Sequence, residues 1–167
     1  MKINVVELKL YKSYEIEIPG NDEYIYGIEQ ADKIFQKLIG RNNLEYVGML
    51  CMDNTNRLIN YSTISIGNMA SVNVPVAQII KIALLSNASK IIIAHNHPSG
   101  ILKITKADIN MTQKIWTLTK NMEIELIDSI IVNETEAISI RQYIGENCET
   151  NELKFDMTKR TAEMLND

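Results

Sequence analysis

Lys90 to Ala94 carries Ile91, Ile92 and Ile93 in succession and passes directly into His95-Asn96-His97-Pro98-Ser99-Gly100. This run is too short for an independent helix and has none of the alternation of a half-solvated strand. Three adjacent β-branched residues suit a short strand buried on both faces of a sheet, and the flanking segments read as helices that could cover it. Before it, Val76, Ile79, Ile80, Ala83 and Leu84 fall on one face of a helix predicted over 75–87, with Pro75 in the first turn, where its missing N–H costs least. After it, a helix is predicted over about 105–120, carrying Ile109, Thr112, Ile115, Trp116 and Thr119, followed by a strand over 124–132. Trp116 is expected in the core.

Upstream, residues 3–18 mix apolar and charged residues in loose alternation and end at Pro19-Gly20, which reads as one or two strands and a turn. A helix should follow, capped by Asp22, repeating Tyr24, Ile28, Ala31, Phe35 and Leu38, and stopped by Gly40. Residues 44–52 and 58–66 flank the polar cluster Asp53-Asn54-Thr55-Asn56 and read as a β-hairpin closed by Gly67. A weak helix is expected from about 156, containing Met157, Met164 and Leu165. Strands before and after helices indicate an α/β or α+β domain.

A length of 167 residues suits one domain with one core. The net charge of −4 and the acidic pI of about 5.3 argue against a non-specific nucleic-acid binder, which presents a basic face. No apolar run approaches the roughly 18 residues of a membrane span, and the first twenty residues lack a signal peptide's pattern, so a cytoplasmic setting is expected. Cys51 and Cys148 form no C-x-x-C pair and are expected to be reduced and structural.

The chain has only two histidines, and they are His95 and His97. In extended backbone, side chains two residues apart point the same way, so H-x-H at a strand end can aim both imidazoles at one metal ion. Two such residues can equally be a hydrogen-bonded pair in a loop. Asp108, at the start of the next helix, is the candidate third ligand, since a turn through Pro98-Ser99-Gly100 can return a first-turn carboxylate to the imidazoles. Two imidazoles and one carboxylate leave the fourth position of a tetrahedral Zn2+ for water, whose pKa the metal lowers from about 15.7 toward about 7. Such water needs a proton acceptor, and Glu45, at the beginning of a strongly apolar strand, is the candidate; otherwise it is a solvent-facing strand residue. Thr105 and Asp108 also have the spacing of a variant capping box, a role compatible with metal ligation. Ser99 can contribute to the site or simply make the Ser-Gly turn. Lys103, Lys106 and Lys114 are expected to form a solvated face.

The string HNHPSG-x4-T-x2-D, with a glutamate opening an upstream strand, resembles the JAMM (JAB1/MPN) metalloprotease signature, E-x(n)-H-[ST]-H-x(7)-S-x(2)-D, and within it the RadC-like branch. LEYVGMLCMDNTNRLI and VPVAQIIKIALLSNASKIIIAHNHPSG are also RadC-like, so the resemblance covers about residues 44–132. It implies a JAB1/MPN-like single domain with a central mixed sheet flanked by helices. It also implies His95, His97 and Asp108 as zinc ligands and Glu45 as general base and acid. The chain departs from the signature at Thr105, where the signature has serine, and at Asn96, as RadC-like proteins usually do. Thr105 keeps a hydroxyl that could hold an oxyanion, a task Ser99 could share. The expected division is an N-terminal strand and helix segment over 1–43 packed on the domain, the metal-site domain over 44–145, and a tail with a short helix over 146–167. The helix-hairpin-helix segment of full-length RadC proteins is not recognisable in 1–43.

The resemblance implies a zinc hydrolase that cleaves a peptide or isopeptide bond in a peptide or protein substrate. Two other readings stand beside it: an accessory protein or nuclease in DNA repair or recombination, and a non-catalytic scaffold stabilised by metal.

Overall fold

The computed structural model describes residues 3, 7, 9–20, 23–67 and 75–147. In chain order the elements are α1 (Ile28–Ile39), β1 (Tyr46–Met52), β2 (Leu58–Ile66), α2 (Val76–Leu85), β3 (Lys90–Asn96), α3 (Lys106–Lys120), β4 (Glu125–Val132), β5 (Ala137–Ser139) and α4 (Ile140–Asn147). The strands form one mixed sheet in the order β2-β1-β3-β4-β5, in which only the β3–β4 pair is parallel. With helices on both faces, this is the mixed α/β architecture expected.

β3 lies at the centre of the sheet and is covered on both sides. Ile91 and Ile93 pack with Val47, Met49 and Cys51 of β1 beneath α2 and α3, which contribute Val76, Ile79, Ala83, Met111 and Ile115. Ile92 and Ala94 face the other way, into a core with Ala31, Ile34, Phe35 and Ile39 of α1. Each fully buried isoleucine contributes on the order of 1.5–3 kcal/mol. Trp116 packs, partly buried, against the first of these cores.

The hairpin turn is held by Asp53, whose Oδ1 accepts from the Thr55 amide (2.8 Å), the Thr55 hydroxyl (2.7 Å) and the Arg57 amide (3.0 Å). Such short polar side chains are favoured in turns for this reason.

Two expectations need correction. No strand forms among the described residues of 3–18. Leu10, Tyr11 and Tyr14 are exposed, and the segment attaches through Ile18 on the α1 core and through the Glu17 carbonyl, which accepts from Lys37 Nζ at 2.6 Å. Alternation there had no ladder to join. The first helix begins at Ile28 rather than near Asp22, which lies outside the described residues. Residues 23–25 instead join the hairpin turn: Tyr24 bridges Arg57, the Ile25 amide donates to Asn56 O at 2.9 Å, and the Leu58 amide donates to Glu23 O at 2.7 Å. Gly40 ends α1 as expected but with an ordinary φ of −61°. Its lack of a side chain answers a close approach, since a Cβ there would lie 2.5 Å from the Asn133 carbonyl oxygen. β5 and α4 have no counterpart among the expected elements. Cys148 and the helix expected from 156 lie outside the described residues.

On the α1 face, Asp32 sits near the buried Asp128, and its Oδ1 is buried without a hydrogen-bond partner among the described residues. Burial, with the Asp128 and Glu29 charges adding, pushes the Asp32 carboxyl up to about 6. A carboxyl raised in the folded state stabilises the fold fully below its unfolded value of about 4 and loses that contribution as pH rises through about 6. Asp32→Asn should therefore melt with the wild type near pH 4 and above it at pH 8. Melting curves across that range check this, and a difference independent of pH would contradict it.

Candidate metal centre

The β1–β3 ladder pairs Cys51 with Ile91, Met49 with Ile93 and Val47 with His95, so these residues share the α2–α3 face. β3 continues to Asn96, two residues further than the sequence suggests, which makes His95 a core position with no exposed surface. His97 follows two residues on and is half-buried.

Three hydrogen bonds shape the loop after the strand. The Gly100 amide donates to His97 O (2.8 Å), with Gly100 at φ +70°, a left-handed value that glycine adopts without strain. Asn133, just past β4, donates from Nδ2 to Gly100 O (3.0 Å). Ser99, exposed in the turn, accepts at Oγ from the Ile101 amide (3.3 Å). Leu102 and Ile104 then pack with Ile109 against Ile131, Ile140 and Ile144, so β4 and α4 anchor the way into α3.

The capping box forms at the start of α3. Thr105 Oγ1 accepts from the Asp108 amide (3.3 Å), and Asp108 Oδ2 accepts from the Thr105 amide (2.7 Å). The Thr105 hydroxyl also donates to Asp108 Oδ2 (2.6 Å). Its single hydrogen is thus directed at Asp108, and the expected oxyanion role would require that bond to break.

The other oxygen of Asp108 completes the site. His95 Nε2 lies 3.1 Å from Asp108 Oδ1 and 3.1 Å from His97 Nε2. Among the described residues these three are the one group of histidine, cysteine and carboxylate side chains arranged to hold an ion, with ligand atoms all within 4.8 Å of one another. Three electron-pair atoms converging this closely need a proton or a cation among them. Metal–ligand bonds of about 2.0–2.1 Å in a tetrahedron put neighbouring ligand atoms about 3.3 Å apart, close to both contacts seen here.

The protonation pattern also suits an ion. His97 Nδ1 faces Ile101 O at 3.0 Å, so its N–H is directed there and Nε2 keeps its lone pair for the shared point, a common arrangement behind metal-bound imidazoles. Burial pushes the Asp108 carboxyl up, but hydrogen bonds from His95 and Thr105, with attraction to His95, outweigh it and hold the group at about 2. It is therefore ionised at neutral pH. His95 Nδ1 is buried without a partner among the described residues.

Glu45 lies one residue before β1 and is half-buried, and its carbonyl accepts from the Gly67 amide at 2.8 Å. The β1–β3 pairing ends at Val47 and His95, and Glu45 lies two residues before Val47, on its side of the chain by strand alternation. Lys103, Lys106 and Lys114 are exposed, as expected. Sequence reasoning missed Asn96 as a structural group and Asn133 as a loop anchor. For Asn96 a signal existed: alternation turns it away from the two histidines into the interior, where a carboxamide must find partners.

A mixed sheet with a His-His-Asp group where a central strand meets the following helix defines an α/β domain built around a candidate metal centre. A family model described as RadC-like JAB domain matches residues 25–146, and the chain belongs to that family. It is 36% identical over 104 residues to a UPF0758 protein of Psychrobacter sp. (strain PRwf-1), covering 62% of this chain and 46% of the relative. It is 35% identical over 98 residues to one of Cellvibrio japonicus, covering 59% and 44%. To one of Flavobacterium johnsoniae it is 33% identical over 111 residues, covering 66% and 48%. The chain thus spans about half the length of the curated relatives it matches.

Thr105→Val removes the hydroxyl that both caps α3 and holds Asp108. The expected outcome is a loss of about 0.5–2 kcal/mol of stability and a metal affinity about 10- to 100-fold weaker, with Thr105→Ser retaining both. Thermal melts and zinc titrations check the two effects separately. Wild-type zinc affinity in the valine variant would show that Thr105 does no more than cap the helix.

Proposed function

We propose that this protein is a metal-dependent hydrolase of the JAMM type, using zinc to cleave a peptide or isopeptide amide bond. The convergence of His95 Nε2, His97 Nε2 and Asp108 Oδ1 on one point carries this reading. Two imidazoles and a carboxylate are a donor set that zinc accepts, and three protein ligands are the number that catalytic zinc sites use. Bound there, zinc would supply a water acidified toward neutral pH and a Lewis acid for a carbonyl.

The residues of the chain divide the remaining work. His95, His97 and Asp108 hold the ion; Thr105 orients Asp108. Glu45 takes a proton from the attacking water and returns it to the departing nitrogen, the two transfers an amide cleavage requires. What supports this assignment is its place just before β1, two residues from Val47, the residue paired with His95. With the Thr105 hydrogen engaged at Asp108, Ser99, exposed in the turn after His97, is the side chain left to steady the developing oxyanion. The substrate in this reading is a peptide or protein chain.

Untagged protein reconstituted with zinc and exchanged into metal-free buffer should retain about one ion per chain by elemental analysis. His97→Ala and Asp108→Ala should retain none, whereas Glu45→Gln should keep the ion. Incubation with a peptide library and with ubiquitin-like conjugates, read by mass spectrometry for new termini, should show cleavage that Glu45→Gln lowers by about 10²- to 10⁴-fold. Wild-type protein that retains no zinc would overturn the reading, as would Glu45→Gln protein that cleaves normally.

A further inference from the structure

The last backbone pair between β1 and β3 joins Val47 to His95. Beyond it, a side chain takes over from the backbone. Asn96 Oδ1 accepts from the Tyr46 amide at 2.7 Å, and its Nδ2 donates to the carbonyls of Asn42 and Leu44, both at 3.0 Å. Asn96 is 1% exposed, so water does not compete for these bonds. Two of the three partners, Leu44 and Tyr46, are the immediate neighbours of Glu45.

We propose that Asn96 is a positioning residue: by clamping the backbone on either side of Glu45, it fixes that carboxylate relative to the His95–His97 pair, although its own side chain points to the opposite face. The proposal rests on the reading of Glu45 as the proton-transfer group. A carboxamide suits the task because it offers one acceptor and two donors at one reach. An aspartate would set an acceptor against two carbonyl oxygens, and an apolar residue would take the partner from one N–H and two C=O groups. The arrangement couples residues separated by fifty positions, and it places the ligands and their proton acceptor on one rigid unit. Such support is what keeps a site near its productive geometry.

Two measurements test this without a substrate. In Asn96→Ala, hydrogen exchange of the Tyr46 amide should rise about tenfold or more, the scale of one lost hydrogen bond, while the Ile92 and Ile93 amides stay protected. The Co2+-loaded protein can also be followed against pH by visible absorption. Glu45→Gln should move the midpoint of its alkaline transition; Asn96→Ala should move it in the same direction, and the double variant no further than Glu45→Gln alone. Asn96→Ser, whose hydroxyl can still accept from Tyr46, should fall between and serves if the alanine variant does not fold. A wild-type midpoint in Asn96→Ala, or shifts that add in the double variant, would overturn the proposal. If instead Glu45→Gln leaves the midpoint unmoved while Tyr46 exchange still rises in Asn96→Ala, it is the Glu45 reading that fails, and the positioning role falls with it.

Discussion

The two-sided burial of β3 is the constraint on which the His-His-Asp group depends. Ile91 and Ile93 lock one face under α2 and α3, and Ile92 and Ala94 lock the other over α1. A strand held this way cannot shift by one residue without sending every side chain to the wrong face. His95 inherits that rigidity as the next residue on the α3 face. A histidine with no exposed surface is costly to bury unless its ring nitrogens are used, and at Nε2 they are, by Asp108 and His97.

Asp108 joins folding to chemistry. One carboxylate oxygen closes the capping box with Thr105, and the other faces His95. A negative charge in the first turn of a helix is stabilised by the unpaired amides there, which helps a buried carboxylate stay ionised beside the two imidazoles. The same residue that starts α3 thus sets where α3 starts relative to the histidines. The connection between them is short, and the small apolar cluster of Leu102, Ile104, Ile109, Ile131, Ile140 and Ile144 fixes its course. α4 therefore contributes to the site without supplying any of its three side chains.

Membership of the RadC-like JAB family rests on a match that begins at residue 25 and ends at residue 146, and so takes in α1 and α4 as well as the histidine motif. That extent agrees with the packing. α1 covers one face of β3, and Gly40 at its end abuts Asn133, whose side chain holds Gly100 in the histidine loop. Among the described residues no helix is long and apolar enough to cross a membrane.

Much of this was legible in the sequence because it follows from local rules. The three consecutive isoleucines marked a doubly covered strand, the periodicity over 75–87 and 105–120 marked its helices, and Thr105 and Asp108 carried a capping box in their spacing. The H-x-H pattern and the next helix's first carboxylate named the three side chains that meet. Tertiary structure alone decided where apolar alternation finds a partner: residues 58–66 gained a neighbour in β1 and became a strand, while no strand forms among the described residues of 3–18. It alone turned the short segments 137–139 and 140–147 into β5 and α4, because their pairing and burial come from β4 and the histidine loop rather than from their own pattern. It also decided the use of Asn96, since a carboxamide's donors and acceptor say only that partners are needed, and which backbone supplies them depends on a fold that brings residues 42–46 beside the end of β3.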